Sequence, residues 1–363
     1  MTSRKQNFNQ RTGWFGFMFF TVLSLGLFPD SATGQKQEFL LKDQLQRSIV
    51  IPARAEHILS LQPEITRLLL ALGAADRLVG VDYFIHRNDH LFKLIHPAGA
   101  DLPVVSQPDG SVNKEMIARL APDLIFLSPT EQQVPDAIER SLGIPVAALA
   151  SMGRFSGLLE ELELVGRLVG KEERARELVH YFREKVRVIS ETIGALEETE
   201  RPKTYLAFWS SLIRTPVFYD PVTVAGGQNV ADRLLPSRLG TASAVINLEQ
   251  IIKWNPDVIL IHGSYPPRER RVTVEGILAD RRLGSVRAIK DRQVHYTLGF
   301  WYWWDPAGVL VETLYLARLF HPEKFSALDL GREGEAIYEK FYGRTGIFRA
   351  LMKILEFDEW TSK

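Results

Sequence analysis

Cysteine is absent from the 363-residue chain, which excludes disulfide scaffolds, thiolate zinc sites, iron–sulfur clusters and thiol nucleophiles. A charge bias is absent too. The 44 Lys+Arg are balanced by 44 Asp+Glu, so nucleic-acid binding through bulk positive charge fits poorly. Familiar catalytic signatures are missing: there is no Gly-x-Ser-x-Gly elbow, no phosphate-binding Gly-x4-Gly-Lys-Ser/Thr loop and no His-Glu-x-x-His. Beyond the N-terminal stretch, no apolar run is long enough for a membrane helix. What is present is a 45% apolar composition, ample for the cores of about two domains and too rich for disorder.

The first residues read as a targeting segment. Arg4, Lys5 and Arg11 precede the apolar stretch Trp14 to Phe28, and Ala32-Thr33-Gly34 supplies small residues for cleavage. An apolar run of about 15 residues is short for a span of about 20. Residues 1–34 are therefore expected to be a cleavable secretory signal, with the mature protein in the periplasm. Lipid attachment to a cysteine is excluded. Losing Arg4, Lys5, Arg11 and Asp30 with the signal leaves a net charge of about −2, which points to no particular partner.

The mature chain alternates short apolar runs with helical periodicity. Ile58–Leu61, Leu78–Val81, Asp123–Leu127 and Pro145–Leu149 read as buried strands. Pro63 stands where a helix would start, and that helix carries Ile65, Leu68, Leu69 and Leu72 before stopping at Gly73. Strands alternating with helices predict a mostly parallel sheet covered on both faces. Residues 156–199 differ: apolar residues from Leu158 to Ile189 recur at helical spacing without proline. They predict one helix, or two in near continuation, joining two lobes. The expected organisation is a lobe at 35–155, a linking helix at 156–199, a second lobe at 200–330 and a helical tail at 331–363.

The second half repeats the first. Val112–Phe126 aligns without a gap on Ile246–Leu260, so that Asn113, Glu115, Ile117, Pro122, Asp123 and Ile125 fall on Asn247, Glu249, Ile251, Pro256, Asp257 and Ile259. Pro-Asp is a common helix stop, which explains that pair and the apolar positions. It does not explain why Asn-x-Glu opens both helices. The fold expected from these patterns is α/β, two lobes joined by a long helix.

These segments resemble a known family. Asp43–Pro52, His57–Thr66 and Ala71–Val81 are similar to the start of substrate-binding proteins of iron-complex and cobalamin ABC importers. Pro122–Ile125, Ala225–Ala231 and Trp304-Asp305-Pro306 follow the same pattern in order. The resemblance implies two doubly wound lobes, a rigid helix between them, a ligand cleft at the lobe interface and no enzymatic cofactor. It further implies capture of a metal complex, a ferric siderophore first, with cobalamin, haem or a molybdate-type oxyanion open. The partner it implies is an inner-membrane permease dimer with its ATPase, served by a monomeric binding protein. In that family a glutamate of each lobe meets arginines of the permease, and Glu115 and Glu249 occupy the matching positions. One departure is Thr66-Arg67, where the family often carries Thr-Glu; the position is expected on the helix surface. Gly226-Gly227 lacks a phosphate-loop context and is expected to serve close backbone packing.

In open parallel sheets, ligands collect beyond the carboxyl ends of the strands. The loops expected there supply Gln62, Tyr83, His86, Thr130, Arg154, Trp209, Arg214, His262, Tyr265, Trp301, Tyr302 and Trp303 as candidate ligand contacts. The run Phe300-Trp301-Tyr302-Trp303-Trp304 offers large rigid faces with polar handles, and extended geometry sends Trp301 and Trp303 one way and Tyr302 and Trp304 the other. Arg154, Arg214, Arg268, Arg270 and Arg271 suit anionic groups or a solvated surface. His86 and His90 share one face if a helix runs through them, but a bare metal site needs ligands converging from several loops. Two other classes remain: an exported two-lobed metal chelatase with His and Glu facing one cleft, and an exported interaction protein without a small ligand.

Overall fold

The computed structural model describes residues 38–129, 133–151, 153–237, 242–263, 270–298 and 304–357. The expected signal segment lies outside them. The chain opens with an antiparallel hairpin, β1 (Glu38–Lys42) and β2 (Ser48–Pro52), in which Asp43 accepts hydrogen bonds from the Leu45 and Arg47 amides across the turn.

The first lobe follows as β3 (Ile58–Leu61), α1 (Pro63–Ala71), β4 (Leu78–Val81), α2 (Tyr83–Asn88), α3 (His90–Ile95), α4 (Lys114–Leu120), β5 (Leu124–Leu127), α5 (Val134–Leu142) and β6 (Val146–Ala148). Its four strands are parallel in the order β4-β3-β5-β6. After the helices α6 (Phe155–Leu168) and α7 (Glu172–Ile193) comes the second lobe: β7 (Lys203–Ala207), β8 (Arg214–Pro216), α8 (Asp220–Val224), β9 (Gln228–Asn229), β10 (Ser243–Val245), α9 (Leu248–Trp254), β11 (Val258–His262), α10 (Val274–Leu278), α11 (Arg287–Lys290) and β12 (Val294–Thr297). Its parallel sheet runs β12-β11-β7-β9, with β8 and β10 paired separately. The tail is α12 (Pro306–Phe320), α13 (Leu330–Tyr342) and α14 (Ile347–Leu355).

Strand alternation places the core. In β5, Leu124 and Phe126 enter a core that runs continuously through both lobes, while Ile125 and Leu127 face a separate cluster with Ile117 and Ile138. In β11, Val258 and Leu260 join the shared core, and Ile259 and Ile261 pack with Ile251 and Ile277. Each sheet is thus covered on both faces, as parallel sheets require.

The segment after the first lobe departs from a near-continuous spacer. Gly170, at φ +69°, turns the chain between α6 and α7. Phe155, at the start of α6, meets Phe182, in the middle of α7, edge to face at 5.0 Å. The two helices therefore fold back as a hairpin. Gly166 permits their close approach, because a Cβ there would stand 2.5 Å from that of Ala175. Amphipathic spacing reports the buried stripe of a helix but not the direction of the next one, which is why the sequence left the hairpin unread. The 22-residue α7 alone leads into the second lobe. Gly226 and Gly227 do serve close packing: Cβ atoms there would strike His321 and Phe320.

A second departure is Arg67. Expected on a helix surface, it is fully enclosed. Every residue of α1 is buried, and the Arg67 guanidinium makes two hydrogen bonds to Asp89 (2.9 and 2.8 Å) and one to Asp305 (3.2 Å). Asp305 also accepts from Tyr342 at 2.7 Å and caps α12 through the Ala307 and Gly308 amides. This cluster ties the first lobe to the tail.

Candidate functional site

The carboxyl ends of the two parallel sheets supply the site. On the first lobe, β3 ends at Gln62, β4 at Asp82 and β6 at the Leu149–Arg154 loop; on the second, β7 ends at Phe208 and β11 at His262. The two sides meet through hydrogen bonds from the Asp220 amide to the Gly153 carbonyl (2.8 Å), the Phe155 amide to the Asp220 carboxylate (2.7 Å), and the Trp304 indole to the Ser151 hydroxyl (3.2 Å). Burial raises the Asp220 carboxyl above the usual range, against the Phe155 amide and the Arg154 charge, which lower it.

Two arginines flank this junction. Arg154 is exposed and lies over the Phe218 ring at 3.9 Å. Arg214 is half-buried and lies over the Trp209 ring at 5.3 Å. Neither forms a carboxylate ion pair among the described residues. Trp209 stacks on Phe208 (4.8 Å, 21°), and Phe208 stacks on His262 (5.2 Å, 18°). Trp209 and Ser210 both hold φ +50°, a left-handed conformation uncommon for an aromatic residue and one that collects at functional sites. No residue pattern announced that strain.

The other sequence candidates divide. Gln62 is enclosed rather than open to a cleft: its amide nitrogen donates to the Leu149 carbonyl (2.9 Å) and to Glu64 (3.1 Å). His262 is buried at the end of β11, where its Nδ1 accepts the Trp209 amide at 3.4 Å. Tyr83 is half-buried, with its amide held by Ser106 (2.9 Å). His86 is half-buried, with Nε2 3.0 Å from the Ala100 carbonyl oxygen. His86 and His90 do not share a helix face, because Asp89 ends α2 and caps α3. Among the described residues no three His, Asp or Glu side chains are grouped to hold a metal. Arg270 points away to Tyr296 and the Leu355 carbonyl. Trp304 is core, stacked on Phe155 at 6.1 Å. Thr130, Tyr265, Trp301, Tyr302 and Trp303 lie outside the described residues.

Sequence reasoning missed the acids behind the rim. Glu64 and Glu161 are both buried. Asp82, also buried, caps α2 through the Ile85 amide, and its burial pushes the carboxyl up to about 7 against the Ile85 and Phe84 amides. A faint signal existed at Glu161, whose neighbours three and four residues away on α6, Gly157, Leu158, Leu164 and Val165, are all apolar.

Glu115 and Glu249 are exposed at the second positions of α4 and α9. The two helices are built alike. Asn113 and Asn247 cap them by accepting the Met116 and Gln250 amides at 3.0 and 2.9 Å, and Ala121 and Asn255 end them at φ 44° and 48°. The following aspartates then bind the start of the neighbouring strand: Asp123 accepts from the Glu56 and His57 amides, and Asp257 from the Lys203 amide. The repeated Pro-Asp is thus a strand-to-strand clasp as well as a helix stop.

Comparison with known proteins agrees with this architecture. A family model described as a periplasmic binding protein matches residues 58–299. The chain is 25% identical to the molybdate-binding protein MolA of Haemophilus influenzae, over 84% of this chain and 90% of that one. It is 26% identical to a cobalamin-binding protein of Halobacterium salinarum, over 60% and 57%. Among solved structures, molybdate-bound MolA superposes with a TM-score of 0.69 at 23% identity, covering 84% and 98% of the two chains. Helicobacter pylori CeuE with Ni(II) bound gives 0.68 at 18%, covering 86% and 98%.

Proposed function

The chain belongs to the periplasmic binding protein family, and on that premise we propose that it captures an anionic, metal-bearing ligand between its lobes and delivers it to an ABC permease. The observation that supports this reading is the pair of arginines, one from each lobe, held by aromatic faces and free of carboxylate ion pairs among the described residues. A cation seated on a ring keeps its N–H groups for an oxyanion. A molybdate-type oxyanion fits two such arginines and is what the Haemophilus influenzae relative binds by name. The ferric siderophore expected from sequence fits the same chemistry where its chelate carries negative charge. The strained Trp209 face then contributes stacking to a bulky chelate and little to a bare oxyanion.

Residues 1–34 serve as the export signal in this reading. Glu115 and Glu249 are the docking pair, one on each lobe, presented by matching helices toward a two-fold permease. Rim charges of this kind set orientation and encounter rate more than affinity.

Equilibrium titration with sodium molybdate and with an anionic ferric catecholate tests the ligand. One of them should bind one-to-one, and Arg154→Ala or Arg214→Ala should each weaken it tenfold or more, since a charge-assisted hydrogen bond contributes about 1.5–3 kcal/mol. Undiminished affinity in both variants would contradict the reading. For docking, Glu115→Ala with Glu249→Ala should abolish uptake while leaving ligand affinity unchanged, and reversal to Arg should be worse. Normal uptake by the double variant would remove both residues from the interface.

A further inference from the structure

Beneath the first-lobe rim, three buried side chains have oxygen atoms with no hydrogen-bond partner among the described residues: Gln62 Oε1, Glu64 Oε1 and Glu161 Oε2. All three residues are at most 1% exposed. Gln62 donates to Glu64 at 3.1 Å, Glu161 accepts from Gln44 of the β1–β2 turn at 3.4 Å, and α1, which carries Glu64, packs against α6, which carries Glu161. All three orphaned atoms are acceptors, so the cluster lacks hydrogens and not oxygens. Two ionised carboxylates enclosed in such a place would carry a large desolvation cost.

We propose that Glu64 and Glu161 hold protons in the resting protein and form a neutral carboxyl pair under the rim, whose ionisation charges the floor of the cleft and weakens capture of an anion. Protonated, each carboxyl gains an O–H that an orphaned oxygen can accept. The surrounding groups do not supply a counter-charge in its place. On α1, Arg67 is already bound by Asp89 at the start of α3 and by Asp305 at the start of α12. Tyr342 of α13 faces Asp305. On α6 the neighbour is Glu160, which adds negative charge. From the loop after β6, Ser151 hydrogen-bonds Glu161 through its hydroxyl and its amide, which favours the charged form, and accepts the Trp304 indole N–H. Burial is the main cause that pushes Glu161 up to about 8, against Ser151, which lowers it. Burial also raises Glu64 well above the carboxylate range, reinforced by Glu161 and opposed by Arg67.

Gln62 and Ser151 both stand at strand ends that form the rim, and Arg154 lies three residues beyond Ser151. A negative charge appearing on the pair therefore opposes an anion held at Arg154. That consequence rests on the anionic-ligand reading above; the protonation itself does not.

Infrared difference spectra of the ligand-free protein, taken on either side of about pH 8, test the pair. The wild type should lose protonated-carboxyl C=O absorption on the alkaline side. Glu161→Gln should lose less, and the Glu64→Gln/Glu161→Gln double variant less again, keeping only the signals of other buried acids such as Asp82 and Asp220. Identical spectra for wild type and double variant would overturn the proposal, as would a cation that replaces the protons and leaves no carboxyl signal. Molybdate titrations across the same range give the second readout. Affinity should fall severalfold toward alkaline pH in the wild type and stay flat in the double variant. An equal fall in both overturns the coupling. Failure of molybdate to bind at any pH counts against the oxyanion reading, with the infrared result still deciding the pair.

Discussion

At the scale of single residues, burial decides what a charge is worth. Arg67, Asp89 and Asp305 are fully enclosed, whereas Arg54 and Glu172 form an ion pair with side chains 53% and 40% exposed. Removing one partner of an enclosed pair strands the other, a loss of about 3–5 kcal/mol, while an exposed pair contributes about 0–1 kcal/mol. Asp89→Ala should therefore lower the denaturant midpoint strongly at unchanged slope, and Glu172→Ala should barely move it. Equal effects would contradict the burial argument. Glu161 gives a pH dependence of opposite sign to a salt-bridged acid. Its folded-state carboxyl titrates near 8, above the ordinary value of 4.5, so the folded protein binds more protons than the unfolded chain between those values. Stability from this group consequently falls as pH rises through that window. Thermal unfolding of Glu161→Gln should show a gain above about pH 8 and none near pH 4; a uniform gain at all pH values would assign the effect to packing. None of this was legible in the sequence, because Arg and Glu are exposed by default and a one-dimensional pattern carries no partner for them.

At the scale of elements, the repeat was the most informative feature of the sequence. Asn-x-Glu, the apolar positions and Pro-Asp aligned at constant offset, and the structure gives both copies the same cap, the same left-handed ending and the same aspartate clasp. Asn113→Ala and Asn247→Ala should each cost about 1 kcal/mol in chemical denaturation, as N-cap removals do. Costs that differ widely between the lobes would show that the two helices are alike in sequence only. Strand and helix periodicity placed β3 to β6, α1 and α4 correctly because those segments are buried on defined faces, whereas α2 and α3 fall in a stretch expected as loop. The β1–β2 hairpin escaped notice, although Phe39 and Leu41 alternate with exposed residues, because two short strands without a tight Asn-Gly turn resemble loop. Much of the site was beyond reach for a different reason: strand ends can be inferred from pattern, but whether Gln62 faces a cleft or a neighbouring carbonyl is settled by packing.

At the scale of the molecule, a core continuous through both lobes and the Arg67 cluster between lobe and tail make large hinge motion costly. The 22-residue α7, with its backbone hydrogen bonds satisfied internally, resists bending further. Small-angle scattering profiles with and without ligand should nearly coincide, and marked compaction on binding would contradict this architecture. The cargo is the central claim, and native mass spectrometry of the protein purified from its own host addresses it most directly. The account predicts a one-to-one adduct with the mass of a metal-bearing anion, lost when Arg154 and Arg214 are both changed to alanine. An adduct of a neutral or cationic molecule, or an anion retained by that double variant, would contradict it.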